Sequence, residues 1–326
     1  DTQRVWGLVN ARIEPEWLSA QVPNLFARKH FVLTRNFDRL SGYDALIAPE
    51  CNSAAQLRKL GYHGVLIGTR HGAGDRAGSF NPNWQKLDLV LLPGEKYQRR
   101  FKEEGFRWTT EISGWPKLDL FDAAQPLERP LFDNGLPTAL YAPHFSKTLS
   151  SLHRFGADLI THFAQRDDWN LIVAPHVVLF SRRLRNLGLR FGQWRDHPRI
   201  RIDKGSFASV DMTYLKGADL YIGDISSQVY EFIVRPRPCI FLNAARIDWQ
   251  DDPHFANWHL GEVIDDPALL DPAIDRADTL HRQTYQVRQQ VAVADTFHAI
   301  DGQAAARGAD AIFRLLDARP ALPGHD

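Results

Sequence analysis

Four loops in this chain carry residue types suited to handling a phosphate group, and each follows an apolar run. At Leu220–Phe232 the chain reads L-Y-I-G-D-I-S-S-Q-V-Y-E-F. The run Leu220–Ile222 predicts a strand, Gly223-Asp224 a tight turn, and Ser226-Ser227 the start of a short helix that Pro236 must end. A helix start leaves backbone N–H groups unpaired and partly positive, and hydroxyls there can donate to phosphate oxygens. An ordinary helix cap is the plainer use of the same serines. His71 closes the apolar run Gly64–Ile67 and precedes Gly72, which lets a ligand approach the backbone. An imidazole there is suited to general-base work because its unperturbed pKa lies near 6.5. His176, after Ile172-Val-Ala-Pro175, could offer an N–H to a phosphate oxygen or be a satisfied core histidine. His144, Ser146 and Lys147 follow a fourth run, Ala139–Ala142.

What is missing narrows the chemistry. There is no Asp-x-Asp clamp for a divalent cation, no P-loop, no G-x-S-x-G elbow and no H-E-x-x-H. Gly72, Gly74 and Gly78 are one residue out of register for a dinucleotide fingerprint. The histidines lack metal-ligand spacing, so neither metal nor cofactor is expected, and Helix starts, His and Arg must supply positive charge. Lys+Arg and Asp+Glu are equal at 39 each, which gives no bulk field for a nucleic acid. Two cysteines exclude a disulfide framework and fit a reducing cytoplasm. No apolar run approaches the ~20 residues of a membrane span, so any membrane contact is peripheral. The chain starts at Asp1 without a leader pattern, which fits a longer native start.

The loops need a scaffold, and the sequence supplies one. Short apolar strands alternate with helical stretches, the mark of an α/β protein with parallel sheets. Strands are predicted at Phe31–Thr34, Ala45–Ala48, Gly64–Ile67, Leu87–Leu92 and Thr110–Ser113, with helices at Ala54–Leu60 and Glu95–Glu104. The proline-rich stretch Phe121–Pro137 reads as a linker. A second alternation follows, with strands at Ala139–Ala142, Asn170–Ala174, Arg199–Ile202, Leu220–Ile222 and Cys239–Leu242. Helices are expected at Leu149–Gln165, Met212–Lys216, Asp275–Ala294 and Gln303–Leu316, with loop up to about Pro267. Seven arginines in Ser181–Arg201, with Phe191 and Trp194 among them, could meet a polyanion or line a solvated helix face. The expected domains are 1–125, 138–300, and a C-terminal helix within 301–326 that crosses back to the first lobe. Ligand would lie in the cleft between lobes, against the C-terminal ends of the strands.

Together these motifs resemble the CDP-glycerol glycerophosphotransferase family of teichoic-acid and capsule synthesis, which has a GT-B fold. His71-Gly72 with Arg76 is similar to the family's H-G-T-P-L-K loop. Gly114-Trp-Pro-Lys117-Leu-Asp119 is similar to its G-x-P-[RK]-x-D segment, and Asp301-Gly302-Gln-Ala304 to a D-G-x-A-S ending. Ala218–Phe232 resembles its A-D-x-x-I-T-D-Y-S-S-x-x-F-E signature. Ala73-Gly74-Asp75 departs from Thr-Pro-Leu, and Asp75 would repel a pyrophosphate unless turned away or paired with Arg76. Ile225 replaces the usual Tyr.

The resemblance implies two Rossmann-like lobes and transfer of a polyol phosphate from a CDP-linked donor to a hydroxyl of a glycan or lipid-linked glycan, releasing CMP without a metal. It implies His71 as catalytic base, with Arg76, His176, Ser226 and Ser227 on the donor phosphates. Asp224 and Glu231 would meet the nucleotide ribose, while Gly72, Lys117, His144 and Ser146 line the cleft. Work at the cytoplasmic face of the membrane would follow. A glycosyltransferase using a UDP- or CMP-sugar, and a non-catalytic nucleotide- or glycan-binding module, are the alternatives. The module is favoured if the His71 loop lies buried or far from Ser227.

Overall fold

The computed structural model describes residues 6–9, 30–33, 43–49, 51–76, 80–122, 125–146, 148–176, 191–203 and 205–318. Every strand pair among them is parallel. Trp6–Val9 (β1) and His30–Leu33 (β2) pair with each other. Ala45–Ala48 (β3), Val65–Gly68 (β4), Leu89–Leu92 (β5) and Thr110–Ile112 (β6) form a four-stranded sheet in chain order. The second sheet holds Thr138–Ala142 (β7), Asn170–Val173 (β8), Ile200–Ile202 (β9), Leu220–Gly223 (β10), Cys239–Leu242 (β11) and Glu262–Ile264 (β12). Its order is β12-β11-β10-β7-β8-β9. Two parallel sheets of this kind make two Rossmann-like lobes, the GT-B arrangement.

The inner strands read VLIG, LVLL, TALYA, NLIV, LYIG and CIFL and are buried throughout. Continuous apolar runs are what a sheet covered on both faces requires. One core runs from Leu66, Val90 and Tyr97 of the first lobe to Tyr221, Phe232 and Phe241 of the second. A separate core packs the helices Gly156–Gln165 and Leu270–Leu280 on the other face of the six-stranded sheet. Helix Ala304–Asp317 lies on the first sheet, where Ala311 meets Val65, Ile67, Leu89 and Leu91.

Several elements differ from the sequence reading for identifiable reasons. The helix expected over Leu149–Gln165 starts only at Gly156, after a short 3-10 turn at Ser151–His153. There Ser150 Oγ accepts from the Leu152 amide and the Ser151 amide turns to Asp224, which diverts the donors a helix would use. β12 lies in a stretch expected to be loop; three residues on a sheet edge carry too little period to stand out. Pro116–Phe121 forms a helix just before the predicted linker. The C-terminal helical run begins at Leu270 and passes through a wider π turn at His281–Tyr285 before Gln286–Thr296. Most of the arginine-rich stretch, through residue 190, lies outside the described residues, as does Lys147. No helix among the described residues is long and apolar enough to cross a membrane.

Candidate active site

In the six-stranded sheet the order reverses between β7 and β10, whose ends align at Ala142 and Gly223. Such a reversal parts the following loops and leaves a crevice beyond the strand ends. The β7 loop brings His144, Phe145 and Ser146, the β8 loop His176, and the β10 loop Asp224, Ser226 and Ser227. Asp224 holds the crevice from beneath: it is fully buried, and Oδ2 accepts from the amides of His144 (2.8 Å) and Ser151 (2.9 Å). Burial pushes its pKa up to about 7, against the opposing pull of those hydrogen bonds. Asp224, expected at the nucleotide ribose, thus has its carboxylate enclosed by protein and Oδ2 committed to two amides.

The helix after Ser227 spans only Gln228–Phe232, so its dipole is smaller than the sequence suggested. Ser226 Oγ accepts from the Gln228 amide at 3.2 Å, the behaviour of a cap. Ser227 makes no capping hydrogen bond with its side chain and meets the first lobe instead. A Cβ built on Gly72 would lie 2.7 Å from Ser227 Oγ. A methyl there would push the hydroxyl aside, so the glycine permits this approach of the two lobes.

The loop after β4 supplies the opposing wall. His71 is exposed, and close enough to His176 to help lower its pKa, after desolvation as the larger cause. Arg76 Nη1 lies 2.6 Å from His144 Nε2. The Ser146 amide donates to His144 Nδ1 at 2.9 Å, and burial, Arg76 and His176 push that imidazole down to about 3. A neutral imidazole has one lone pair and one N–H. That single lone pair can serve the Ser146 amide or the Arg76 guanidinium but not both, so the loop holds one donor more than the ring can accept, and an anionic oxygen seated beside it would take the surplus.

His71 is anchored by its predecessor. Arg70 has a left-handed backbone (φ 58°) and is buried, with its guanidinium 4.4 Å from the Tyr97 ring centre and within 6 Å of those of Phe80, Trp84 and Phe101. Burial lowers its pKa. Asp75 is also buried, and its partner is not Arg76. Lys96 Nζ lies 2.5 Å from Oδ1, and Tyr230 OH donates to Oδ2 at 2.5 Å. The ammonium also lies 3.7 Å from the Tyr230 ring centre. This places the Asp75 charge away from the crevice.

Glu231, expected at a ribose, instead joins the lobes. Trp115 Nε1 donates to Oε1 at 3.0 Å and Lys117 Nζ to Oε2 at 2.7 Å. Lys117, expected to line the cleft, is in this structure the ion-pair partner of Glu231. Sequence reading missed Arg70, Lys96, Trp115 and Tyr230. Arg70 carried a usable signal, as a cation directly before the candidate base. Lys96 looked like any solvated helix lysine. Among the described residues no three His, Cys, Asp or Glu side chains are grouped as metal ligands.

No protein-family model matches the chain, and no curated protein matches it in sequence. Solved structures do match in fold. A variant of the wall teichoic acid polymerase TagF soaked with CDPG aligns over 96% of this chain and 88% of its own, at 16% identity and a TM-score of 0.61. A putative UDP-N-acetylglucosamine 2-epimerase from Listeria monocytogenes aligns over 96% and 89%, at 16% identity and a TM-score of 0.65. The S. aureus MnaA-UDP co-structure aligns over 99% of both chains, at 13% identity and a TM-score of 0.63. These likenesses establish the GT-B-like fold.

Proposed function

We propose that this protein transfers a glycerol-phosphate or related polyol-phosphate group from a CDP-linked donor to a hydroxyl of a glycan or lipid-linked glycan. The observation that carries the reading is the meeting of His71 and Arg76 with His144, His176 and Ser227 at the strand-order reversal. The nearest carboxylates, Asp75, Asp224 and Glu231, are all turned inward. A cluster rich in donors and poor in acceptors is built for a polyanion. The fold shared with a teichoic acid polymerase soaked with CDPG supports the same choice.

In this mechanism the acceptor hydroxyl attacks the phosphorus that bears the polyol. His71 takes its proton, a new P–O bond forms, and the bond to the bridging oxygen breaks so that CMP leaves with both electrons. Arg76, the His144 and His176 N–H groups and the Ser227 hydroxyl offset the charge gathering on the departing phosphate, the task a divalent cation performs elsewhere. Ser226 contributes by fixing the loop that carries Ser227. Such a transfer belongs to assembly of teichoic-acid or capsule polymers, from the cytoplasmic side and with the acceptor met at the inner membrane face.

A second reading keeps the site and moves the attack to carbon, with a UDP- or CMP-sugar as donor. Its support is the fold shared with MnaA bound to UDP. A purely binding module fits less well, because His71 is exposed and its neighbour Gly72 touches Ser227. Incubation with CDP-, UDP- and CMP-linked donors, reading the nucleotide released, tests the choice. CMP from a CDP-linked polyol, persisting in EDTA, is expected. Release of CDP or UDP would establish attack at carbon, and neither binding nor release of any nucleotide would overturn both readings.

A further inference from the structure

Phe145 stands out in the crevice because it is a large apolar side chain left 40% exposed among polar strand ends. Its ring stacks on His144, with centres 4.3 Å apart and planes at 28°, and lies 4.8 Å from His176 on a tilted plane. The two imidazoles are 6.4 Å apart, so the three rings form one continuous wall. His144 is neutral, and desolvation and His71 lower the pKa of His176, so the wall carries little charge. One end adjoins Arg76 through His144, and the other adjoins His71 through His176.

The carbon skeleton of a donor hangs from the phosphate, and the attacked phosphorus or carbon must face the base, so the skeleton must lie beside both. The wall borders both. Aromatic faces attract the C–H edges of a polyhydroxylated carbon skeleton and offer it no hydrogen bond, whereas the surrounding loops grip phosphate. We propose that Phe145 forms the subsite for the carbon skeleton of the transferred group, a polyol or sugar, and discriminates donors at that end. This rests on the nucleotide-linked donor reading above and adds to it a specificity-determining residue.

The test compares affinities, by calorimetry, of wild type, Phe145→Ala and Phe145→Leu for CDP, UDP, CDP-glycerol and UDP-N-acetylglucosamine. Melting temperatures establish that each variant is folded. Both variants should bind CDP and UDP as the wild type does, and lose roughly tenfold in affinity for one of the two substituted donors. The donor that loses affinity identifies a polyol or a sugar as the occupant. Parallel loss for CDP and CDP-glycerol, or for UDP and its sugar conjugate, would move Phe145 to the nucleotide end and overturn the assignment. Unchanged affinity for all four ligands would also overturn it. A wild type that binds none of the four would sink the donor reading itself, and this assignment with it.

Discussion

At the seam between Gly114–Asp119 and Ala299–Arg307, each strong donor has an acceptor. Arg307 gives Nε to Ser113 O (2.8 Å), Nη1 to both Asp301 oxygens and Nη2 to Ala299 O (3.2 Å). Asp119 accepts from the Ala305 amide at 2.7 Å, and Trp115 and Lys117 saturate Glu231. At the strand ends the balance reverses, with Arg76 facing a ring that already receives a donor and Ser227 uncommitted to its helix. Both regions are built from segments that resemble the same family, so sequence resemblance alone does not separate them. The matching of polar groups does: matched groups hold lobes together, whereas a surplus of donors suits the anionic ligand proposed above.

The sharpest way to break this contrast is at His71. Replacement by Ala should cut turnover by about 10²–10⁴-fold with donor affinity nearly intact. An equal loss of affinity would make His71 a phosphate ligand and shift it to the binding side. Gly114→Ala probes the opposite region. Gly114 has φ +91°, and a Cβ there would lie 2.9 Å from both Ala304 Cβ and His298 O. Destabilisation on the order of 2–4 kcal/mol is expected in denaturant titration, from strain plus the clash. A variant as stable as the wild type would show that the seam is looser than its hydrogen bonds imply.

Ser227→Ala should weaken nucleoside diphosphate binding by about 1.5–3 kcal/mol without loss of stability, as for one charge-assisted hydrogen bond. Ser226→Ala should do the reverse, costing about 1 kcal/mol of stability through its cap. If calorimetry and melting show the two behaving alike, the division of labour between adjacent serines fails.

A further effect is graded with pH. Asp224 binds its proton more tightly in the folded protein, where its pKa is about 7, than in the unfolded chain. Its contribution to stability is therefore full below about pH 4 and is lost as pH rises toward 7, with a slope near 1 kcal/mol per pH unit. Subtracting the Asp224→Asn stability profile from that of the wild type should isolate this slope. A flat difference between pH 4 and 7 would mean the carboxylate is hydrated.

The strand framework was legible because buried parallel strands are unbroken apolar runs, as at Leu89–Leu92 and Leu220–Gly223. For the same reason the loops that follow them could be singled out, and His71, Arg76, His144, His176 and Ser227 do converge. The burial of Asp224 was not legible because a carboxylate in a turn after Gly looks available, while its partner amide at His144 is 80 residues distant in the chain. Glu231 sits in a five-residue helix with Val229, Tyr230 and Phe232 also buried, too short to display an inner and an outer face. Pairings between lobes, such as Tyr230 with Asp75, leave no periodic trace.

That last pair bears on motion. Lys96 and Asp75 belong to the lobe of His71, while Tyr230 sits on the helix that follows Ser227, and all three are buried. Swinging the lobes apart would hydrate an ammonium and a carboxylate, and closing would strip that water away again. The trio therefore opposes separation of the lobes at the level of the His71 loop.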